Sequence, residues 1–171
     1  QKGQSDYNAQ LTKIKGLNPD IILCSALYNE GAVIMDQARK MGIEVPFIGG
    51  NGFNSPEVIK IAGDASNGLI VATPWYGGKE DQKVQDFVSK YEKEYGKKPD
   101  QFAAQAYDAL YIMAEALKNA GEADRDKLRD ALAEVKDFGG ILGNFSFDKD
   151  GDVVMEPTVL VIEDGQFKEF K

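Results

Sequence analysis

The chain has no histidine and only one cysteine in its 171 residues. Without histidine it lacks the commonest general base, the Ser-His and Cys-His nucleophile pairs, and the usual ligand sets for zinc. The single cysteine, Cys24, cannot form an intramolecular disulfide, and its place inside an apolar run predicts a buried, unreactive thiol. We therefore expect no catalytic residues, no metal site and no cofactor.

The chain also lacks a long hydrophobic run and a basic charge balance. No apolar stretch approaches the roughly 20 residues that a membrane-spanning helix needs. The formal net charge of −8 argues against binding to nucleic acid, which requires a basic surface. Hydrophobic residues make up 43% of the sequence, enough for the core of a globular protein. Residues 1–4 do not resemble a natural start, so we expect a mature or clipped piece.

Three strand–helix repeats predict a parallel sheet in the first part of the chain. Residues 20–26 are continuously apolar rather than alternating, which predicts a strand buried on both faces. Residues 45–48 and 68–73 are predicted as two further short strands. We expect one intervening helix to open at Asn29 and another to begin near Pro56. Strands and helices alternating at this spacing favour a parallel sheet with right-handed crossovers.

A second group of elements follows the clearest break in composition, residues 74–78, which we interpret as a crossing between domains. Amphipathic periodicity predicts three helices there, and two strand segments follow them. Asp-Gly pairs at residues 150–151 and 164–165 indicate hairpin turns. The predicted helices span residues 81–95, 100–120 and 124–135, and the predicted strand segments span residues 143–147 and 157–170.

Two short motifs resemble ligand-binding loops but lack parts of the pattern. The segment DKDGD at residues 148–152 looks like the opening of a calcium loop, yet valines stand where an EF-hand needs its glycine and final glutamate. We interpret it as a solvated hairpin turn. The segment GGNG at residues 49–52 lies between a strand and a helix, but it lacks the Lys-Ser/Thr pair of a phosphate loop. We interpret it as a loop where a ligand comes close to the backbone.

Aromatic and amide side chains follow each of the three predicted strands. The carboxyl ends of parallel strands meet at one edge of a sheet, where open α/β sheets bind their ligands, so we expect a small organic molecule there. No activated nucleophile or base stands among these residues, and the pattern therefore favours binding over bond-breaking chemistry. The residues are Tyr28 and Asn29 after the first strand, Asn51 and Phe53 after the second, and Trp75 and Tyr76 after the third.

Four stretches together resemble the type I periplasmic binding proteins, in particular the branched-chain amino-acid receptors of ABC importers. They are DYNAQLTKIKGLNPDIIL, QARKMGIEVPFIGGNGFNSPEVIKIAGDASNGLIVATPW, KYEKEYGKKPDQFAAQAYDALYIMAEAL and FGGILGNFSFDKDGD. The resemblance implies an α/β fold, a three-layer Rossmann-like parallel sheet with flanking helices that forms half of a two-lobed clamshell. It also implies a periplasmic or lipid-anchored extracellular receptor. Such a receptor closes on a small amino acid or related carboxylate, delivers it to ABC permease subunits and catalyses no reaction.

The resemblance covers only the C-terminal half of such a receptor. It implies that residues 1–74 belong to the second lobe, that residues 75–156 return to complete the first lobe, and that residues 157–171 return to the second. Trp75 and Tyr76 would then lie at the crossing between lobes. Half a receptor exposes apolar surface that a partner must cover. The missing N-terminal portion of the same protein is the expected partner, and a pairing of the chain with itself is the alternative.

The resemblance also adds positions to the candidate ligand site and marks one departure. Receptors of this family carry a carboxylate at the position of Asn51, which pairs with the α-ammonium of the ligand, and a tyrosine at the position of Leu27, beside Tyr28. Phe102 matches a pocket aromatic. Asn51 can donate as well as accept hydrogen bonds, so a ligand other than a zwitterionic amino acid becomes plausible. Glu30 either supplies the missing charge or, as we favour, stabilises the N-terminus of its helix.

Two other functional classes stay open on the sequence. A sensory or regulatory ligand-binding domain could share this fold, and a transmembrane helix or DNA-binding segment joined to the chain would indicate it. A flavodoxin-like enzyme fragment ranks last, because the catalytic residues or phosphate loop expected at the sheet edge are missing.

Overall fold

The structure is a computed structural model, and it describes residues 5–170. Residues 1–4, whose sequence suggested a clipped start, and residue 171 lie outside the described part. In chain order the helices and strands are α1 (Asn8–Gly16), β1 (Ile22–Cys24), α2 (Tyr28–Lys40), β2 (Phe47–Gly49), α3 (Pro56–Ala62), β3 (Ile70–Thr73), α4 (Gln82–Tyr95), α5 (Gln101–Ala120), α6 (Arg125–Ala133), β4 (Phe138–Gly139), β5 (Asn144–Phe147), β6 (Val153–Val154), β7 (Thr158–Glu163) and β8 (Gln166–Glu169).

The chain divides into two compact units. Unit 1 comprises the described parts of residues 1–73 and 158–171, and unit 2 comprises residues 74–157. Unit 1 contains a five-stranded sheet with the order β1-β2-β3-β7-β8, in which β1, β2 and β3 are parallel to one another and β7 runs antiparallel to both of its neighbours, β3 and β8. The predicted α/β class, with a sheet containing parallel strands and flanking helices, is confirmed.

The core of unit 1 lies between one face of the sheet and the helices α1, α2 and α3. Helix α2 packs against both α1 and α3, which places the helices side by side. Fully buried side chains from the helices and strands meet there, and each such burial contributes about 1.5–3 kcal/mol. Among the largest of them are Leu11 on α1, Met35 on α2, Phe47 on β2 and Ile162 on β7, joined by Phe53 from the loop after β2.

The opposite face of the same sheet is apolar and partly open. Leu23 of β1 lies directly opposite Ile48 of β2, which lies opposite Ile70 of β3, and all three side chains stay outside the helix-covered core. Leu23 is 79% exposed. The prediction that the first strand is buried on both faces is therefore wrong within residues 5–170. Alternate side chains of a strand point to opposite faces, and α1–α3 cover only one of them.

Unit 2 is built on the helices α4, α5 and α6 and on a small antiparallel sheet with the order β4-β5-β6. Each helix begins after an aspartate whose carboxylate accepts hydrogen bonds from backbone N–H groups of the first turn, namely Asp81, Asp100 and Asp124. These caps and starting points agree with the predicted helices. Two apolar clusters form the core, and one of them contains the only tryptophan of the chain, Trp75.

Helix α5 is apolar on more sides than unit 2 covers. Its buried side chains include Ala104, Ile112 and Ala116, yet Leu110 on another side of the helix is 69% exposed. A helix that is apolar nearly all round is typical of a helix buried on several sides. None of the helices in residues 5–170 is long and apolar enough to cross a membrane. The further large exposed hydrophobic residues of α5 are Phe102, Tyr107, Tyr111, Met113 and Leu117.

Both predicted hairpin turns are present. Asp164 and Gly165 have positive φ angles of 52° and 68° and join β7 to β8. In the segment DKDGD, the Asp148 carboxylate accepts hydrogen bonds from the backbone N–H groups of Asp150 and Asp152, both at 2.9 Å. The loop uses this carboxylate to close its own turn between β5 and β6. The interpretation as a hairpin turn is thus confirmed.

Candidate functional site

The candidate site is the edge of unit 1 at which β1, β2 and β3 end. Leu27 is the residue before α2, so the predicted helix start at Asn29 is one residue late, and the short 3₁₀ turn Asn51–Phe53 follows β2. These two segments touch, because a Cβ atom at Gly52 would lie 2.7 Å from the carbonyl oxygen of Ala26 and 3.0 Å from Leu27 Cδ2. Position 52 therefore requires glycine. The structure brings the segment of Leu27 and the segment of Asn51 together.

Phe53 packs in the unit 1 core next to this edge. Its side chain is fully buried. The ring occupies space left by two glycines: a Cβ at Gly31 would lie 2.1 Å from Phe53 Cε1, and a Cβ at Gly49 would lie 2.5 Å from Phe53 Cδ2. The ring thus joins the first turn of α2 to the end of β2. Phe53 packs in the core and positions Asn51, and its ring presents no open face at the edge.

A buried hydrogen bond ties the same loop to the third strand. The side-chain amide of Asn54 donates to the hydroxyl of Thr73 at 2.7 Å, and both residues are buried. Thr73 is the last residue of β3, so the bond joins the loop after β2 to the end of the neighbouring strand. The next helix begins at Pro56, and the Ser55 hydroxyl accepts from the N–H of Glu57 at 3.3 Å. Ring packing and polar contacts together fix the shape of this loop.

Two of the predicted site residues are presented to solvent at this edge. Asn51 is exposed, and Leu27 is 53% exposed. Tyr28 is half-buried and packs against the unit 1 core through the first turn of α2. The edge therefore presents an amide and an aliphatic side chain on a fixed backbone, with an aromatic ring partly withdrawn behind them.

Glu30 lies on the side of α2 that faces the start of α1. Residues 30, 34 and 37 share one helical face. Gln37 of this face accepts a hydrogen bond from the backbone N–H of Tyr7 at 2.8 Å. Burial, and then the negative charge of Glu30, raises the pKa of the Tyr7 hydroxyl. The Glu30 carboxylate is therefore associated with the contact between α1 and α2.

The other three predicted site residues belong to unit 2. Trp75 is buried in the unit 2 core, with its ring centroid 5.7 Å from that of Phe87 in an edge-on arrangement. Tyr76 is half-buried, and its ring lies where a Cβ of Gly78 would come within 2.5 Å of it. Phe102 is exposed in the first turn of α5. Within unit 2, Trp75 is thus a packing residue, while Tyr76 and Phe102 keep accessible surface.

Unit 2 also contains an open groove of about 1290 Å³ between α4 and α5. Two pairs of tyrosine rings, tilted against each other, line the groove: the ring centroids of Tyr91 and Tyr95 are 4.5 Å apart, and those of Tyr107 and Tyr111 are 4.8 Å apart. A hydrogen bond to the Tyr111 hydroxyl, and then burial, raises the pKa of Tyr107. Lysine and carboxylate side chains of both signs line the rim. Ring faces without a dominant charge suit packing against another apolar surface.

Sequence reasoning missed Asp108, the buried carboxylate of unit 2. It lies in the middle of α5 and is 2% exposed. Its two oxygens accept hydrogen bonds from the backbone N–H groups of Ile141 at 3.0 Å and Leu142 at 2.9 Å. A Cβ at Gly140 would lie 2.2 Å from Asp108 Oδ2, so the loop approaches closely only because residue 140 is glycine. An acid between apolar residues of a helix was the signal available in the sequence.

Two chemical properties of the described residues bear on this edge, namely metal binding and thiol reactivity. In residues 5–170, no three carboxylate or thiol side chains come together in a way that could hold a metal ion. Burial raises the pKa of the half-buried Cys24 thiol, which disfavours the reactive thiolate. The site as described is a fixed, neutral edge suited to hydrogen bonding and apolar contact.

Comparisons with known proteins point to one family. Residues 1–166 match a family model described as periplasmic binding protein. The Leu-, Ile-, Val-, Thr- and Ala-binding protein of Pseudomonas aeruginosa is 29% identical over 151 residues, which cover 88% of this chain and 40% of that protein.

Solved structures give the same result. A leucine-binding protein, LivK, from Thermotoga maritima superposes with a TM-score of 0.91 at 31% identity, covering 100% of this chain and 49% of that one. The branched-chain amino-acid transporter substrate-binding protein LivJ from Streptococcus pneumoniae, solved with isoleucine, gives a TM-score of 0.85 at 34% identity, covering 98% of this chain and 48% of that one. The chain therefore spans less than half the length of these relatives, from 40% to 49%.

Proposed function

The chain belongs to the periplasmic binding protein family, and we propose that it acts in the solute-binding component of an ABC importer, binding a small amino acid or a related carboxylate. The observation that carries this proposal is the edge at which β1, β2 and β3 end. There Asn51 and Leu27 are exposed on a backbone that Phe53 and the hydrogen bond from Asn54 to Thr73 hold in place. Relatives named for binding leucine, isoleucine and valine support the ligand class.

A rigid backbone at this edge suits a protein that binds a ligand without catalysing a reaction. A loop that is already ordered loses little conformational entropy when a ligand arrives, so more of the contact energy appears as affinity. The Asn51 amide can direct a polar group of the ligand, and Leu27 can contact its apolar part. Glycine at position 50, beside which a Cβ atom would meet only open space, lets the ligand come close to the main chain. In this role the protein recognises its ligand, and transport depends on permease subunits.

We also propose that the ligand-binding protein includes polypeptide beyond these 171 residues. The relatives are about twice as long. The open apolar sheet face around Leu23 and the exposed apolar side of α5 support a covering segment, which we assign to an N-terminal portion of the same protein. Under this proposal residues 1–74 and 157–171 belong to the second lobe, and residues 75–156 complete the first lobe. The protein would act in the periplasm or lipid-anchored outside the cell.

Ligand-dependent stabilisation of the full-length protein tests the proposed function. The panel consists of leucine, isoleucine, valine and phenylalanine, with hydrophobic carboxylates of matching size and glucose as a negative control. A ligand present at 100 times its Kd is expected to stabilise the folded protein by about 2.7 kcal/mol, and the melting temperature should rise with ligand concentration. If no amino acid or carboxylate shifts the melting temperature more than glucose does, the proposed function is refuted.

A further inference from the structure

We propose that the ligand group meeting the Leu27–Asn51 edge is uncharged, so that the preferred ligand is a hydrophobic carboxylate without an α-ammonium group. This inference rests on the proposed function and selects within its ligand class. It follows from which side chains form the edge and from where the nearest acid lies.

The edge itself is neutral. The segments that follow β1 and β2, residues 25–31 and 49–55, read SALYNEG and GGNGFNS, and Thr73 ends β3. Their exposed side chains at the touching point are the Asn51 amide and the Leu27 aliphatic group, and their only carboxylate is Glu30. An ammonium group that leaves water needs an anionic partner, because a neutral amide replaces only part of its hydration.

Glu30 does not take that role in this geometry. It shares a face of α2 with Gln37, whose side chain accepts from the Tyr7 backbone at 2.8 Å, and this face is directed to the start of α1. Its charge contributes, after burial, to the raised pKa of the Tyr7 hydroxyl. Leu27 and Gly52, by contrast, contact each other on the side of the loop after β2. The one carboxylate of the edge segments thus lies on the same helix face as Gln37, whose side chain contacts the start of α1.

Because the loop after β2 is rigid, we expect it to discriminate strongly between ligands with and without an ammonium group. Phe53 is fully buried, and Asn54 donates to Thr73 at 2.7 Å, so the loop cannot easily move to bring another acid to the edge. A ligand with an ammonium group would lose hydration there without gaining an ion pair. The same carbon skeleton without that group keeps its apolar contact with Leu27 and loses nothing. We expect the difference to be about tenfold or more in Kd, as for other charge-assisted hydrogen bonds.

Calorimetric titration of the full-length protein tests the inference with two matched pairs of compounds. L-Leucine is compared with 4-methylpentanoate, and L-phenylalanine with 3-phenylpropanoate, so that each pair differs only in the α-ammonium group. The variants are wild type, Asn51→Asp and Asn67→Asp. Asn67 is a matched control, because it lies before β3 at the opposite end of the sheet, where its side-chain oxygen accepts from Gly165 N–H at 3.4 Å. It undergoes the same change of charge.

The expected result is that the wild type binds the deaminated acid of at least one pair about tenfold more tightly than the amino acid. Asn51→Asp is expected to shift that ratio toward the amino acid by about tenfold or more, and Asn67→Asp is expected to leave it unchanged. Tighter binding of the amino acid by the wild type overturns the inference but leaves the proposed function standing. An Asn51→Asp shift no larger than that of Asn67→Asp also overturns it. If no compound of either pair binds, the inference fails, and the wider ligand panel decides the proposed function separately.

Discussion

Replacing Asp108 with asparagine tests how unit 2 holds its loop against α5. The substitution keeps the volume of the side chain and exchanges one carboxylate oxygen for an amide group. In the structure both oxygens accept from backbone N–H groups, Oδ1 from Ile141 at 3.0 Å and Oδ2 from Leu142 at 2.9 Å. In the variant only one of these N–H groups keeps an acceptor. The other then faces an amide donor in a place that is 2% exposed.

The size of the effect follows from these contacts. A hydrogen bond to an ionised group contributes about 1.5–3 kcal/mol, and a buried donor left without an acceptor costs about 1–3 kcal/mol. The remaining bond also changes from charge-assisted to neutral, while the variant no longer buries a charge, and these two changes partly offset one another. The loop cannot move closer to compensate, because Gly140 already lies against the carboxylate. We expect a loss of about 2–3 kcal/mol in the free energy of unfolding.

Urea unfolding followed by the fluorescence of Trp75 measures this loss. Trp75 is the only tryptophan and lies in the unit 2 core, so its signal reports on the unit that contains Asp108. A loss of this size also lowers the melting temperature by roughly 4–12 °C for a chain of this length. Asp86→Asn, at an exposed position of α4, is the matched control, and its free energy of unfolding is expected to change by no more than about 0.5 kcal/mol. An Asp108→Asn variant as stable as the Asp86→Asn variant would refute the reasoning.

Two further substitutions test the packing of the edge and the covering of the open sheet face. Gly31→Ala places a Cβ 2.1 Å from the Phe53 ring and is expected to destabilise the protein by about 1–3 kcal/mol in urea unfolding. Gly16→Ala, with open space around it, is expected to be neutral or to stabilise by up to about 1 kcal/mol, and equal effects of the two would contradict the packing described. In the full-length protein, Leu23→Gln is expected to lower the unfolding free energy by about 2 kcal/mol or more, because a covered face would bury the amide. Leu17→Gln, at a residue that is 79% exposed like Leu23, is expected to change it by less than about 0.5 kcal/mol, and equally small losses would argue against a covering segment.

The elements that the sequence predicted well are those determined by local chemistry. Asp81, Asp100 and Asp124 each accept hydrogen bonds from N–H groups of a first helical turn. Any residue with a short side-chain acceptor can form such a cap when it directly precedes an amphipathic segment. The Asp164-Gly165 turn depends on two residues that adopt positive φ angles. None of these features needs a partner that is distant along the chain. The order and class of the elements follow from them.

The residues that the sequence placed less well depend on packing between distant segments. The run around Leu23 is as apolar as a strand buried on both faces, but exposure is decided by which helices cover the sheet. Phe53 follows a Gly-rich loop and was expected to face a ligand. Its burial depends on glycines at positions 31 and 49, one of them on another helix. Asp108 was overlooked because its partners, the N–H groups of Ile141 and Leu142, lie more than thirty residues away.

The loop after β2 shows that an aromatic residue two positions after an exposed amide can be fully buried. In the 3₁₀ turn Asn51–Phe53, the third residue turns into the core while the first stays exposed. The buried ring removes the freedom that a loop with glycines at positions 50 and 52 would otherwise have. The backbone at Asn51 is therefore held in one place, and the cost of ordering it is met by core packing during folding. The position of Asn51 at this edge thus depends on the packing of Phe53, although only Asn51 is exposed there.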